Sequence, residues 1–317
     1  MAPIDSPLTL CLALLACWAV VGAVGLLRPH SVALVRRVLF PLGALIGVGL
    51  AIVAALSLAE PVEHATLHVG LPDLPMHVRL DNLSRVFLAL LGSASAGVSL
   101  FAAGYFRKGE GTAPGVLGLQ YHLFLASMGF VLVADDAYAF MVAWETMALT
   151  SYFLVTAQHG IPEIRSAGFL YLLMAHVGAI AILLSFGILQ GGTWLFSFDA
   201  MRESTLSTPW ATAAFLLALF GFGAKAGLLP LHVWLPEAHP AAPSPVSALL
   251  PSPGHVRPSA LLPHDRHRVR EQRARPPHGV RGHRRRRRRA LAPDAGPRDA
   301  VPDGHRRSQR QHRPVRG

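Results

Sequence analysis

The sequence predicts an all-α, polytopic membrane bundle of about seven transmembrane helices, the seventh one broken, followed by an arginine-rich C-terminal tail expected to be disordered. Three observations carry this expectation. Of 317 residues, 52% are hydrophobic and only 15% charged, where a globular domain carries roughly 25% charge. Apolar runs long enough to cross a bilayer, about 20 residues each, recur throughout residues 1–250. The net charge of +11 is also unevenly spread: residues 1–250 hold 10 Lys+Arg against 13 Asp+Glu, and residues 251–317 hold 19 against 5. A soluble enzyme and a secreted disulfide scaffold are excluded. Residues 1–250 read as a membrane domain and 251–317 as a separate basic segment.

The predicted spans are 8–27, 38–59, 83–105, 116–134, 136–157, 167–189 and 210–235. The first is expected to be retained rather than cleaved. Asp5 stands where a signal peptide has a basic region, and no small-residue cleavage site leads into a soluble domain. Small residues, Gly43 and Gly47, then Ala94 and Ala96 with Gly97, sit at spacings that suit close helix contact in lipid. Cys11 and Cys17 lie about 9 Å apart along one helix, beyond disulfide reach and without a metal-ligand spacing.

Loop charge predicts orientation. Arg28, Arg36, Arg37, Arg107, Lys108 and Arg165 follow spans one, three and five. Glu60, Glu63, Asp73, Asp135, Asp199 and Glu203 occupy the other loops, with Arg79 and Arg202 as exceptions. The positive-inside rule places the N-terminus outside and the tail in the cytoplasm. Rough alternation over 62–80 predicts a small external hairpin.

An ionisable group at bilayer depth costs about 2.5–3.5 kcal/mol on insertion scales, so it needs a partner or a task. Glu145 lies mid-span in FMVAWETMALTSYFLV, and Lys225 lies about 15 residues into the seventh span, in LFGFGAKAGLLPLHVWLP. An interhelical ion pair that only fixes packing is one reading of each; a proton or cation relay is the other. Pro230 lacks an N–H, which predicts a helix break near Leu229–Pro230, and broken helices at membrane depth commonly line ion sites. His232 and His239 follow Lys225 at seven-residue steps, so the three share a face if helicity resumes. His232 is a relay candidate, His239 a weaker one, and His176 a further titratable group in the sixth span. His122 reads as an interfacial polar contact. Asp135 and Asp136 open the fifth span, either as a favourable helix start or as a charge link to neighbouring spans.

The segments AFMVAWETMALTSYFLV and FGFGAKAGLLPLHVWLPEAHPAAPSPVSALL resemble the antiporter-like membrane subunits of respiratory complex I, group 4 hydrogenases and Mrp cation antiporters. The second is most similar to the hydrogenase-4 component B (formate hydrogenlyase subunit 3) branch, and DNLSRVFLALLGSASAGVSLFAAGY resembles that family's third helix. The resemblance covers about residues 1–250. It implies a proton- or cation-translocating subunit, with Glu145 and Lys225 modulating proton uptake and His232 and His239 following the break. It implies that Asp136 takes part in coupling between subunits. It further implies other membrane subunits and a hydrophilic redox arm as partners, the inner (plasma) membrane as the location, and no cofactor in this chain. Sodium/proton antiport of the Mrp type is the alternative activity.

A full member of the resembled family has about fourteen helices in two inverted repeats, and here the pattern stops after seven. From Pro251 the composition turns to Arg, Pro, Ala, Gly, His and Val, including the run Arg284–Arg289. Out-of-frame translation of GC-rich DNA explains this composition, and an apolar helix in another frame is the expected confirmation. On that reading the chain does not move ions by itself. The competing class is a membrane-anchored protein whose arginine tail binds anionic lipid or nucleic acid. Nucleic acid is not the expected partner, because the tail has no aromatic residue for stacking.

Overall fold

The computed structural model describes residues 6–71, 74–106 and 111–250. Asp5, Asp73, Arg107, Lys108 and the tail 251–317 lie outside the described residues.

Local chemistry sets most helix starts. Ser6 accepts the Thr9 N–H ahead of Pro7 and opens α1 (Pro7–Val24). Ser31 opens α2 (Val32–Leu34), which passes through a π-helical turn (Val35–Leu39) into α3 (Phe40–Leu56). Two strands follow, β1 (Glu63–Leu71) and β2 (Leu74–Leu80), paired antiparallel. Asp81 caps α4 (Asn82–Tyr105), and Pro114 begins α5 (Pro114–Val133). Asp136 caps α6 (Ala137–Val155), with its Oδ1 accepting the Ala139 N–H at 2.6 Å. Then come α7 (Pro162–Leu189), the short α8 (Phe198–Glu203) and α9 (Thr208–Ala226). A 3-10 turn (Leu231–Trp234) leads into α10 (Leu235–Ala241) and α11 (Ser244–Ser247).

Among the described residues, seven helical segments are long and apolar enough to cross a membrane: Pro7–Leu27, Val32–Leu56, Asn82–Tyr105, Pro114–Val133, Ala137–Val155, Pro162–Leu189 and Thr208–Ala241. They match the predicted spans to within a few residues, apart from the start of the second and the end of the seventh. The second starts earlier because Arg36 and Arg37 lie inside the helix, where Arg36 Nε donates to the Ala103 carbonyl at 2.9 Å. The seventh stops being α-helical at Ala226, not at Leu229–Pro230. Gly227 takes the left-handed conformation (φ 72°) and ends α9 before the proline acts.

Packing places α5 and α6 at the centre: 56% and 50% of these spans are buried within the bundle, against 28% for the first and seventh. The α3–α4 contact runs along small residues, though not all of the expected ones. A Cβ on Gly47 would lie 2.7 Å from Ser95 Oγ, and one on Gly92 only 2.5 Å from the Gly47 carbonyl. Ala96 is buried there, whereas Ala94 is exposed and Gly97 faces open space. Gly43 instead makes room for His122. Cys11 packs in the core and Cys17 is exposed; both are free thiols.

The loops sort onto two faces. On one, Leu8 N–H donates to Glu63, Val78 bridges Ala134, and Asp136 bridges Ser197. On the other, Gly115 N–H donates to the Pro29 carbonyl and Thr112 to that of Ala157. The hairpin is where the alternation over 62–80 predicts it. Its register puts His64, Arg79 and His77 on one side of the ribbon, against the two aspartates. His64 Nδ1 stands 3.6 Å from Asp135 Oδ2, and Arg79 Nε 3.4 Å from Asp135 Oδ1. The His77 backbone N–H and Nδ1 both face Asp136 Oδ2. The two aspartates thus act both as a helix start and as charge links.

Burial pushes the Asp135 carboxyl up from its ordinary range, Arg79 and His64 pull it down, and Asp199 raises it. A raised folded-state value means that this carboxyl favours the fold most at low pH and loses that contribution as pH rises through its titration. Arg79→Gln is expected to move Asp135 titration further upward, as read by carboxyl 13C NMR. An unchanged or lowered titration would show that Arg79 does not hold this carboxylate ionised.

Candidate functional site

Three helices position the site. Helices α7 and α9 meet at glycines: a Cβ on Gly221 would lie 2.5 Å from the Gly178 carbonyl, so the two backbones touch there. Ser185 Oγ–H donates across the same seam to the Ala214 carbonyl at 2.9 Å. One turn beyond Gly221, this contact sets Lys225 against α7, and α6 packs on the other flank of α7.

Lys225 Nζ donates to the Tyr171 hydroxyl at 2.9 Å. It lies 5.3 Å from the Tyr171 ring centroid and 5.8 Å from that of Trp144, within cation–π range. Tyr171 is 1% exposed. Its hydroxyl also bonds Ser151 Oγ, and Ser151 in turn reaches the Met147 and Ala148 carbonyls at 2.7 and 2.9 Å. Trp234 packs edge-on to Tyr171 at 5.1 Å and donates its indole N–H to the Ala224 carbonyl at 2.8 Å, satisfying an acceptor in the last turn of α9.

Glu145 does not pair with Lys225. Its Oε2 lies 3.5 Å from His176 Nε2 on α7, and the two side chains are 39% and 47% exposed on the bundle's membrane-facing surface. His176 Nδ1 lies 3.1 Å from the Leu172 carbonyl, one turn back. A carbonyl only accepts, so Nδ1 carries the proton. The contact with Glu145 is then satisfied in two ways: an imidazolium donating to a carboxylate, or a protonated Glu145 donating to neutral Nε2. Either way the two groups face each other near the middle of both spans.

The remaining sequence-predicted residues are placed differently. His232 lies in the 3-10 turn, with a buried Nδ1 that has no hydrogen-bond partner among the described residues. His239 lies in α10 and bonds Ser247 Oγ at 2.8 Å. The expected common face of Lys225, His232 and His239 does not form as one continuous helix, because Gly227 and Pro230 interrupt it. Asp136 caps α6 and clamps the hairpin, nine residues and about 13 Å along the helix from Glu145. His122 is not interfacial. It is fully buried, with ring nitrogens 2.7 Å from the Gly118 carbonyl and 3.2 Å from that of Leu39, the last residue of the π-helical turn.

The sequence reading missed Tyr171, Trp144, Ser151 and Trp234, whose aromatic and hydroxyl groups look like ordinary span residues. It also missed Arg85, fully buried near the start of α4. Arg85 donates to the Glu60 and Pro61 carbonyls at 2.7 and 2.6 Å and so holds the chain leaving α3.

Residues 134–258 match the family model described as NADH:quinone oxidoreductase/Mrp antiporter, TM. Hydrogenase-4 component B of Escherichia coli is 41% identical over 192 residues, covering 61% of this chain and 27% of that protein. Over these residues the chain is similar to this antiporter-like family. Among solved structures, the Mrp complex from Dietzia sp. DQ12-45-1b contains a chain that superposes with TM-score 0.64 at 25% identity, over 76% of this chain and 26% of that one. A chain of the archaeal membrane-bound sulfane sulfur reductase superposes with TM-score 0.64 at 18% identity, over 76% and 49% respectively, and shares the fold. The chain spans about a quarter of the length of the hydrogenase relative.

Proposed function

We propose that this chain contributes a proton-translocating element to a membrane complex of the group 4 hydrogenase or NADH–quinone oxidoreductase kind. The observation that carries the reading is the set of titratable groups on three adjacent spans: the proton-sharing Glu145–His176 pair on α6 and α7 and the Lys225 amine on α9. A lone charge at this depth costs about 2.5–3.5 kcal/mol, and a shared proton reduces that cost while leaving the proton transferable. His232, with its bare buried nitrogen just past the break, is the next proton acceptor in this reading. His239 and Asp136 lie outside this cluster and serve access or coupling. The 41% identity to a hydrogenase component favours the hydrogenase branch; the likeness to an Mrp chain keeps sodium/proton exchange as the alternative activity.

In this reading redox chemistry resides in a hydrophilic arm outside this chain, and partner membrane subunits cover the exposed Glu145–His176 face. The membrane is the plasma membrane, with the acidic hairpin face outside and the arginine-bearing loops in the cytoplasm.

The test is redox-driven acidification of inverted membrane vesicles containing the assembled complex, with and without sodium. Proton movement independent of sodium, reduced about tenfold or more by His176→Phe, is the expected result. Sodium-dependent movement selects the antiport alternative, and full activity in His176→Phe removes the shared-proton pair from the pathway.

A further inference from the structure

Lys225 has an unusual partner for a charged amine inside a membrane. Its polar contact is a neutral hydroxyl, whereas the carboxylate available on the neighbouring helix, Glu145, is held by His176. A carboxylate partner would favour the ammonium strongly and hold its charge in place. A hydroxyl both donates and accepts, so it can satisfy the amine with or without its extra proton.

The hydrogen bonds around Tyr171 make the consequence specific. With Lys225 charged, Nζ–H donates to Tyr171 Oη, Tyr171 O–H to Ser151 Oγ, and Ser151 O–H to the Met147 or Ala148 carbonyl. With one proton removed from Nζ, Tyr171 O–H turns to donate to the Nζ lone pair, and Ser151 O–H turns to donate to Tyr171 Oη. The carbonyls released are interior to α6 and accept backbone N–H bonds within that helix. Both hydroxyl groups stay satisfied in either state. The tyrosine is fixed by Trp234 and the serine is fully buried, so neither is free to turn to water instead.

We propose that Tyr171 is a positioning residue that forms, with Ser151, a hydrogen-bond chain whose direction reverses when Lys225 gives up its proton, letting this amine change charge in the membrane without losing its polar partner. The departing proton passes to a carboxylate or imidazole base of the relay; the hydroxyls only reorient and are not consumed. The titratable groups on the elements packed around Lys225 are Tyr138, Glu145 and Tyr152 on α6, Glu163, Arg165, Tyr171 and His176 on α7, His232 in the 3-10 turn, and Glu237 and His239 on α10. The proposal rests on the reading that Lys225 is a relay group, and its test separates the two.

The chain contains two lysines, Lys108 and Lys225, so amine labelling of the full-length protein in membranes reports Lys225 with Lys108 as internal reference. Acetic anhydride labelling is followed by mass spectrometry across a pH series. Tyr171→Phe keeps the ring and removes the hydroxyl. The bond to the ammonium is charge-assisted and so the stronger of the two, and its loss is expected to move the Lys225 rate–pH profile downward by about one unit, a tenfold change in proton affinity, without moving that of Lys108. Ser151→Ala shifts the profile in the same direction on its own and adds nothing in the Tyr171→Phe background, because it acts through the tyrosine. A Lys225 rate raised equally at every pH indicates mere opening of the site and overturns the proposal, as do an unmoved profile and additive effects of the two variants. A shifted profile in a complex whose proton transport survives Lys225→Ala sustains the hydroxyl chain and overturns the relay reading instead.

Discussion

Replacing Lys225 or Glu145 with alanine is expected to lower coupled proton transfer roughly 10²-fold, the lower range for loss of a positioned acid–base group, while the complex still assembles. Lys225→Ala takes away the amine but leaves Tyr171 bonded to Ser151 and packed on Trp234. The α7–α9 seam at Gly178 and Gly221 does not involve the lysine side chain. Glu145→Ala takes away one half of the shared-proton pair, and His176 keeps its bond to the Leu172 carbonyl. Both variants therefore change chemistry more than packing. The measurement is redox-driven acidification of vesicles, with subunit content checked on native gels. Normal pumping by either variant would falsify its relay role and leave an ion pair or cation–π contact that only fixes packing.

Gly221→Leu is expected to have the largest structural effect of any single substitution considered. Its Cβ would lie 2.5 Å from the Gly178 carbonyl and 2.5 Å from Ile182 Cγ1, and a helix backbone cannot yield as a flexible side chain does. Overpacking of this kind costs about 1–3 kcal/mol, and here it separates α7 from α9 and pulls Lys225 away from Tyr171. Thermal unfolding in detergent should shift clearly downward, and Lys225 labelling should rise at all pH values. Gly187→Leu on the same α7 helix meets nothing within 4 Å and serves as the control. Equal stability of the two variants would show that the glycine contact does not hold the helices together.

Much of the architecture follows from local composition. Each span is an apolar run matched to bilayer thickness, so its existence needs no knowledge of its neighbours. The hairpin follows from alternation around Leu71 and Leu74, and the break in the seventh span from the cluster of prolines after Leu229. The break was misplaced by three residues because a left-handed Gly227 ends the helix first, a conformation glycine permits and sequence does not require. The small-residue seam was half right: the expected Gly47 and Ala96 sit in it, and they are joined on α4 by Gly92 and Ser95, which only the crossing geometry selects.

The site divides along the same line. Glu145, His176 and Lys225 stand out individually, because charge inside an apolar run is costly wherever the helices pack. Their pairing does not stand out, since Glu145 lies 31 positions from His176 and Lys225 lies 54 from Tyr171. No spacing rule joins residues on separate spans. Tyr171 and Ser151 pass as ordinary span residues until α7 turns the tyrosine inward between α6 and α9. The sequence alone determined that the chain crosses the membrane and that Glu145, His176 and Lys225 lie within it, because solvation by lipid acts on each segment separately. The tertiary structure decided that Glu145 faces a histidine and that Lys225 rests on a hydroxyl, because such contacts depend on which helix faces touch.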